Sequence, residues 1–365
     1  MIRIDPALSN KLKNLSFVCS VFVVLVHSGT VAPVGSFTWG VRHFLYDIFG
    51  RLAVPFFFLA SGFLLAGHMG EEGWYATALK KRFWTLVVPY VFNASLYAVY
   101  LLPLTVLANV RAGRGLWEHL AIPPIAKIYG LVLTENPALY PLWYLRWLII
   151  LVLFSPLIYL LLKKWMKTTL AVVFLYAMSQ NEGGALLPEK LQMLSVHWLP
   201  FLLHPIGTFF YLLGIAWRMG CIERIAPGCK RVILAFGVGF IALKFALILL
   251  YSHHPDGTLQ WVYSAEGNYQ VPDFAIYPAV LYVLWKVIPS RTWPVFLTQN
   301  SFALYVWHAF AGRFVNGVQW FAAAGMSLNE LYWTRFWLAV VGVFCVSWCM
   351  RRYWPMGVRL FLGGR

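Results

Sequence analysis

The residues best suited to chemistry in this chain are ionisable side chains set inside long apolar runs. His27 lies in the stretch NLSFVCSVFVVLVHSG, Asp47 and Arg51 enter the next apolar run, Arg146 sits in LWYLRWLI, and His308 closes NSFALYVWH. His204, Lys244, Asp273, Arg313 and Arg335 are further members of the set. An ionisable group in hydrocarbon is expensive, so each defaults to a functional reading: proton transfer, contact with a polar substrate, or pairing with an opposite charge. Imidazole exchanges a proton near neutrality, whereas guanidinium is a fixed cation suited to an anion. A lone histidine on an apolar helix is more often a hydrogen-bonded structural residue, so its neighbours must decide its role. His253 and His254 show no metal spacing, and the five cysteines form no CxxC pair and no Cys/His set, so no metal is assigned.

The elements that must position these groups are membrane helices. Hydrophobic residues make up 61% of the chain and charged residues 12%, against about 45–50% and 25% in a soluble domain. The apolar runs predict an all-α, polytopic membrane protein of about ten transmembrane helices. Their expected bounds are 12–34, 43–67, 83–108, 141–162, 168–188, 199–218, 231–251, 272–289, 295–315 and 332–350. Most of the 29 Lys and Arg fall in alternate connections, which predicts cytoplasmic N- and C-termini. The first apolar run lacks a cleavage pattern and is expected to remain as the first helix. A formal charge of +16 would raise nucleic acid in a soluble protein. Here it is accounted for by loop cations that face lipid headgroups, and no nucleic-acid partner is expected. Residues 1–365 read as one membrane domain with a core of about 10–350 and no separate soluble domain.

Several short blocks occur in a particular order. After the first-helix His27 comes RLAVPFFFLASGFLLAG with Arg51 and the Ser61–Gly62 pair, then LKKRFWTLVVPY, LWYLRWLI and finally NSFALYVWH. Together with the ten spans they resemble bacterial membrane acyltransferase family 3, integral-membrane proteins that O-acylate carbohydrates. The resemblance covers the chain from about 10 to 350. It implies His27 as the catalytic base, taking the proton of a sugar hydroxyl as that oxygen attacks a thioester. Arg51 matches the Arg before the family's Pro-Phe-Phe block; it suits oxyanion stabilisation or substrate orientation, or pairing with Asp47 one turn away. The basic cluster Lys80, Lys81 and Arg82 is implied as a phosphate site for the donor, acetyl-CoA or another acyl-CoA, and positive-inside anchoring accounts for it equally.

One departure stands out. Where the family carries Arg or Lys eleven residues before the first-helix His, this chain has Ser16. Lys13, one turn earlier on about the same face, is the nearest cation and joins the cofactor-binding set. Trp143, Arg146 and His308 are the candidate substrate-binding residues.

The function implied is transfer of an acyl group, acetyl by default, from acyl-CoA to a hydroxyl of a cell-surface or exported glycan or a lipid-linked sugar. It would occur in the bacterial inner membrane, with membrane lipid as a partner and self-association left open. Two alternatives remain. Buried Asp, Arg and His also suit a transporter or flippase of a sugar-linked substrate. Ser16 also suits an inactive member that scaffolds polysaccharide export.

Overall fold

The computed structural model describes residues 2–28, 36–113, 141–179, 203–253, 275–317 and 325–364. Every regular element among them is helical. The N-terminal half contains α1 (Pro6–His27), α2 (Phe37–Phe44), α3 (Arg51–Leu65), α4 (Trp74–Arg82) and α5 (Val88–Arg111). Next come α6 (Leu142–Leu153), α7 (Ser155–Ser179), α8 (Pro205–Arg218) and α9 (Pro227–His253). The C-terminal part holds α10 (Tyr277–Val287), α11 (Val295–Thr298), α12 (Ser301–Gly317), α13 (Leu328–Tyr353) and α14 (Pro355–Leu362). Single π-turns at Leu45–Gly50 and Phe83–Val87 join α2 to α3 and α4 to α5. Asp273 and His254 lie outside the described residues, as do the side chains of Asp47, His253 and Arg313.

Local sequence sets the helix ends. Asp5 caps α1 by accepting from the Leu8 amide at 2.7 Å, with Pro6 in the first turn. Ser327 and Glu330 form a reciprocal capping box at the start of α13. His204 caps α8: its Nδ1 accepts from the Gly207 amide at 3.0 Å, so this intramembrane candidate has a structural role at that nitrogen.

Four stretches are long and apolar enough to cross a membrane: Pro6–His27, Phe37–His68, Pro227–Leu250 and Leu328–Tyr353. The pair Leu142–Leu153 and Ser155–Met178, bent by 64° where they meet, adds a fifth if taken as one span. The chain is therefore an all-helical membrane protein with four or five such spans among the described residues. Of the ten expected spans, four or five meet this test among the described residues, and parts of those expected at 12–34, 168–188, 199–218 and 272–289 lie outside the described residues. α8, α10 and α12 fall below the roughly 20 residues a crossing needs. The break expected between 162 and 168 appears as a kink at Trp165 (φ −137°, ψ 47°) inside α7. A second break, at Phe154, divides the span expected at 141–162.

Burial sorts the helices. Much of α9 is exposed, with Phe236, Leu243, Phe245, Leu249 and Leu250 presenting apolar surface to the lipid. α8 is the opposite case: Phe210, Tyr211, Ile215 and Ala216 are wholly buried. It lies along α3, and two glycines make that possible. A Cβ on Gly62 would stand 2.1 Å from the Tyr211 carbonyl oxygen, and one on Gly214 would stand 2.0 Å from that of Leu59. The helices thus meet backbone to backbone, as small residues permit in a bilayer.

Asn93 ties the C-terminal elements to this core. Its amide nitrogen donates to the carbonyls of Pro89 (2.7 Å) and Phe361 (2.8 Å), and its oxygen accepts from Trp307 Nε1 at 2.8 Å. These bonds join α5, α12 and α14, an arrangement whose members are all satisfied.

The α3–α8 crossing predicts a contrast between two conservative substitutions. Gly214→Ala should force the helices apart and cost at least about 1–3 kcal/mol, read as a fall in the thermal unfolding temperature in detergent. Gly239→Ala, where nothing lies within 4 Å, should be neutral or mildly stabilising.

Candidate functional site

Two groups of side chains lie toward opposite ends of α1. Toward its N-terminal end is a cavity of about 690 Å³, lined by residues of α1, α3, α4, α8, α12 and the C-terminal tail. Lys13, Lys81, Arg82 and Arg218 contribute to the wall, and among the described residues no Asp or Glu does. Ser16 lines the same cavity, its hydroxyl donating to the Leu12 carbonyl at 2.7 Å. Lys13 and Ser16 therefore share one space, as their helical spacing requires. Of the basic cluster, Lys81 and Arg82 face the cavity, whereas Lys80 is exposed and does not line it. The physical reason is helical geometry: successive residues diverge by about 100°, so one member of a consecutive run points elsewhere.

The cavity continues to an aromatic layer. Phe57, Tyr144 and Tyr305 line it and pack on one another, with centroids 5.4–5.9 Å apart in edge-on or tilted pairs. Ser61 Oγ and the Tyr144 hydroxyl share a 3.0 Å hydrogen bond, and the Tyr305 hydroxyl donates to the Pro141 carbonyl. Tyr144 is thus a buried member of the site wall.

One turn beyond Tyr305 on α12, His308 stacks on His27. Their ring centroids are 5.0 Å apart with planes 20° from parallel. The two residues come from opposite ends of the sequence, and only the packing of α12 on α1 brings them together. His27 is exposed, while His308 is 3% exposed. Nδ1 of His308 is 3.0 Å from the Leu304 carbonyl, which can only accept, so that nitrogen carries the proton. Its Nε2 then keeps a lone pair, buried and, among the described residues, without a hydrogen-bond partner.

The position of His27 is held from several sides. It is the last residue of α1, earlier than the end expected at 34. The backbone amide and hydroxyl of Ser28 both donate to the Val24 carbonyl. The buried Tyr332 hydroxyl donates to the Leu25 carbonyl at 3.0 Å. Two of the carbonyls that a helix end leaves unpaired are thereby satisfied. Gly50, at the end of the π-turn, supports the same turn of α1: a Cβ there would stand 2.2 Å from Val26 Cγ2. Arg51 follows directly, so its turn adjoins that of His27; its guanidinium lies 5.5 Å over the Tyr46 ring.

Trp143 and Arg146 form a different cluster. Trp143 and Trp147 pack against the His204 ring at 5.1 and 5.8 Å, and the Arg146 guanidinium lies 4.5 Å over Trp147. The sequence-predicted residues therefore divide into a cationic cavity, a histidine pair beside Arg51, and an aromatic box around His204. Sequence reasoning missed Arg218 and Tyr332. Arg218 reads as one more loop cation after an apolar run, and nothing in the order of residues links Tyr332 to Leu25.

The difference in access within the histidine pair can be measured. Diethyl pyrocarbonate should carbethoxylate His27 several-fold faster than His308, as read by peptide mass mapping of the detergent-solubilised protein. Equal rates at the two residues would contradict the packing described.

No curated protein and no solved structure matches the chain. A family model described as an acyltransferase domain does match it, over residues 11–352, and so the chain belongs to acyltransferase family 3.

Proposed function

We propose that this protein is an acyl-CoA-dependent O-acyltransferase of the bacterial inner membrane that esterifies a hydroxyl of an exported glycan or lipid-linked sugar. Acetyl is the default acyl group. The observation that carries this reading is the succession along α1 and α12 of a cavity whose described lining holds cations and no carboxylate, an aromatic layer that lines it, and, one turn beyond Tyr305, a stacked histidine pair. A donor with a phosphorylated head and a long neutral arm suits such an arrangement. The cationic cavity matches a charged head and the aromatic layer matches the arm. From Lys13 to His27 the rise along α1 is about 21 Å, so the donor must be extended to serve both ends. On this reading the cavity opens to the cytoplasm, in keeping with the positive-inside pattern.

The roles follow from the chemistry of each group. Lys13, Lys81 and Arg82 hold the phosphates of the donor by charge-assisted hydrogen bonds. His27, with one face accessible, takes the proton of the acceptor hydroxyl as its oxygen bonds to the thioester carbon. Arg51 opposes the negative charge that develops on the carbonyl oxygen. When the C–S bond breaks, the imidazolium returns its proton to the departing thiolate, leaving an ester and free coenzyme A. His308 offers its Nε2 lone pair to a second hydroxyl and so orients the acceptor. Trp143 and Arg146, beside His204, supply a ring-stacking and hydrogen-bonding surface suited to a sugar.

The deciding measurement is thiol release from acetyl-CoA by the purified protein in nanodiscs with added cell-envelope glycan. Wild type should release thiol and His27→Ala should lose about 10²–10⁴-fold, the usual contribution of a general base. Release unaffected by His27→Ala would reject the assigned base. Absence of both release and coenzyme A binding, with solute flux in liposomes, would favour the transporter. The cavity wall yields a finer expectation: Arg82→Ala should raise the KM for acetyl-CoA, whereas Lys80→Ala should leave it at the wild-type value.

A further inference from the structure

Arg218 ends α8 and is 8% exposed. Its guanidinium carbon lies 5.0 Å over the Phe63 ring, and its Nε and Nη1 are buried without a hydrogen-bond partner. Nη2 approaches Gly67 so closely that a Cβ there would be 3.1 Å away. The side chain lines the cavity that also holds Lys13, Lys81 and Arg82, and among the described residues no carboxylate lines it.

A helix-terminal arginine often serves its own helix by bonding the last carbonyls, and here that role is filled by backbone. The carbonyls of Ile215, Ala216, Trp217 and Arg218 accept from the amides of Met219, Cys221, Gly220 and Ile2. The guanidinium is therefore not engaged by the helix end. A buried arginine with unmade hydrogen bonds and, among the described residues, no counter-ion is costly, and a ligand anion in the cavity would remove that cost. Arginine fits phosphate better than lysine does, because its planar fork makes paired hydrogen bonds. The same cavity is where position 16, basic in the family the sequence resembles, is Ser16.

We infer that Arg218 is the buried phosphate anchor of this cavity, supplying from α8 the fixed cation that α1 lacks at position 16. The ligand class is a phosphate ester or pyrophosphate, and its identification with coenzyme A rests on the function proposed above. Lys13, Lys81 and Arg82 surround the same anion from the more accessible wall.

Calorimetric titration of the full chain in detergent tests this, with coenzyme A, its phosphate-free fragment pantetheine, and inorganic pyrophosphate as probes. For Arg218→Gln the coenzyme A Kd should rise at least tenfold while pantetheine binding is unchanged. The thermal unfolding temperature without ligand should equal or exceed that of wild type, because a buried uncompensated cation has been removed. Arg218→Lys should give an intermediate Kd. A folded Arg218→Gln variant with wild-type coenzyme A affinity would overturn the assignment. So would an unfolded Arg218→Gln accompanied by wild-type affinity in Arg218→Lys. Wild type that binds pyrophosphate in an Arg218-dependent manner but not coenzyme A would keep the anchor and reject the acyl-CoA reading.

Discussion

The contact between α3 and α8 underlies the arrangement of the whole site. In a bilayer the hydrophobic effect does little to drive one helix against another, so close packing of backbones has to do more of that work. Gly62 and Gly214 allow each helix to rest on a carbonyl of the other. That approach sets Leu59, Gly62 and Phe63 of α3 against α8 and brings Arg218 beside Gly67 at the cavity wall. It also fixes the side of α3 that meets Tyr144, and hence where the aromatic layer forms. Removing the layer would leave the cavity and the histidine pair as separate features.

α1 supplies the long axis of the site, and it is held at both ends by polar contacts from distant segments. Asn14 donates to the carbonyls of Pro289 and Arg291 at one end, and Tyr332 donates to Leu25 at the other. Such bonds join residues separated by most of the chain length, so their contribution is to register and not to local helix formation. The rotation of α1 then decides two things together: that Lys13 and Ser16 face the cavity, and that His27 faces His308. The C-terminal helices act on the same core less directly, through Asn93 between Trp307 and Phe361.

The electrostatics of the two ends differ in kind. Among the described residues the cavity concentrates cations without carboxylates, so its field is available to whatever anion enters. At the histidine end, chemistry is controlled by access and by the hydrogen bond from His308 to Leu304. Separating charge recognition from proton transfer allows a negatively charged ligand to be held tightly without placing its charge beside the imidazole. Under the function proposed above, an extended donor would use both ends at once, whereas a short one would reach only the first.

Much of this protein is legible in its sequence. Apolar runs and their cationic borders determine a helical membrane protein, because a bilayer leaves the backbone no other common solution. The order of short blocks around His27, Pro55–Phe58 and His308 is sufficient to suggest the family, and His27 stands out as an ionisable group among aliphatic neighbours. Tertiary structure decided which of these residues meet. His27 and His308 are paired, Trp143 and Arg146 gather elsewhere, and Lys80 turns away from a cavity that receives Lys81 and Arg82. In the fold, the described parts of α8 and α12 bury apolar residues against protein. Arg218 shows the division most sharply: in sequence it is one loop cation among many, and in the fold it is a buried guanidinium facing a cavity. Composition and periodicity report the solvent each segment prefers, whereas helix rotation and crossing depend on shape complementarity between residues far apart in the chain.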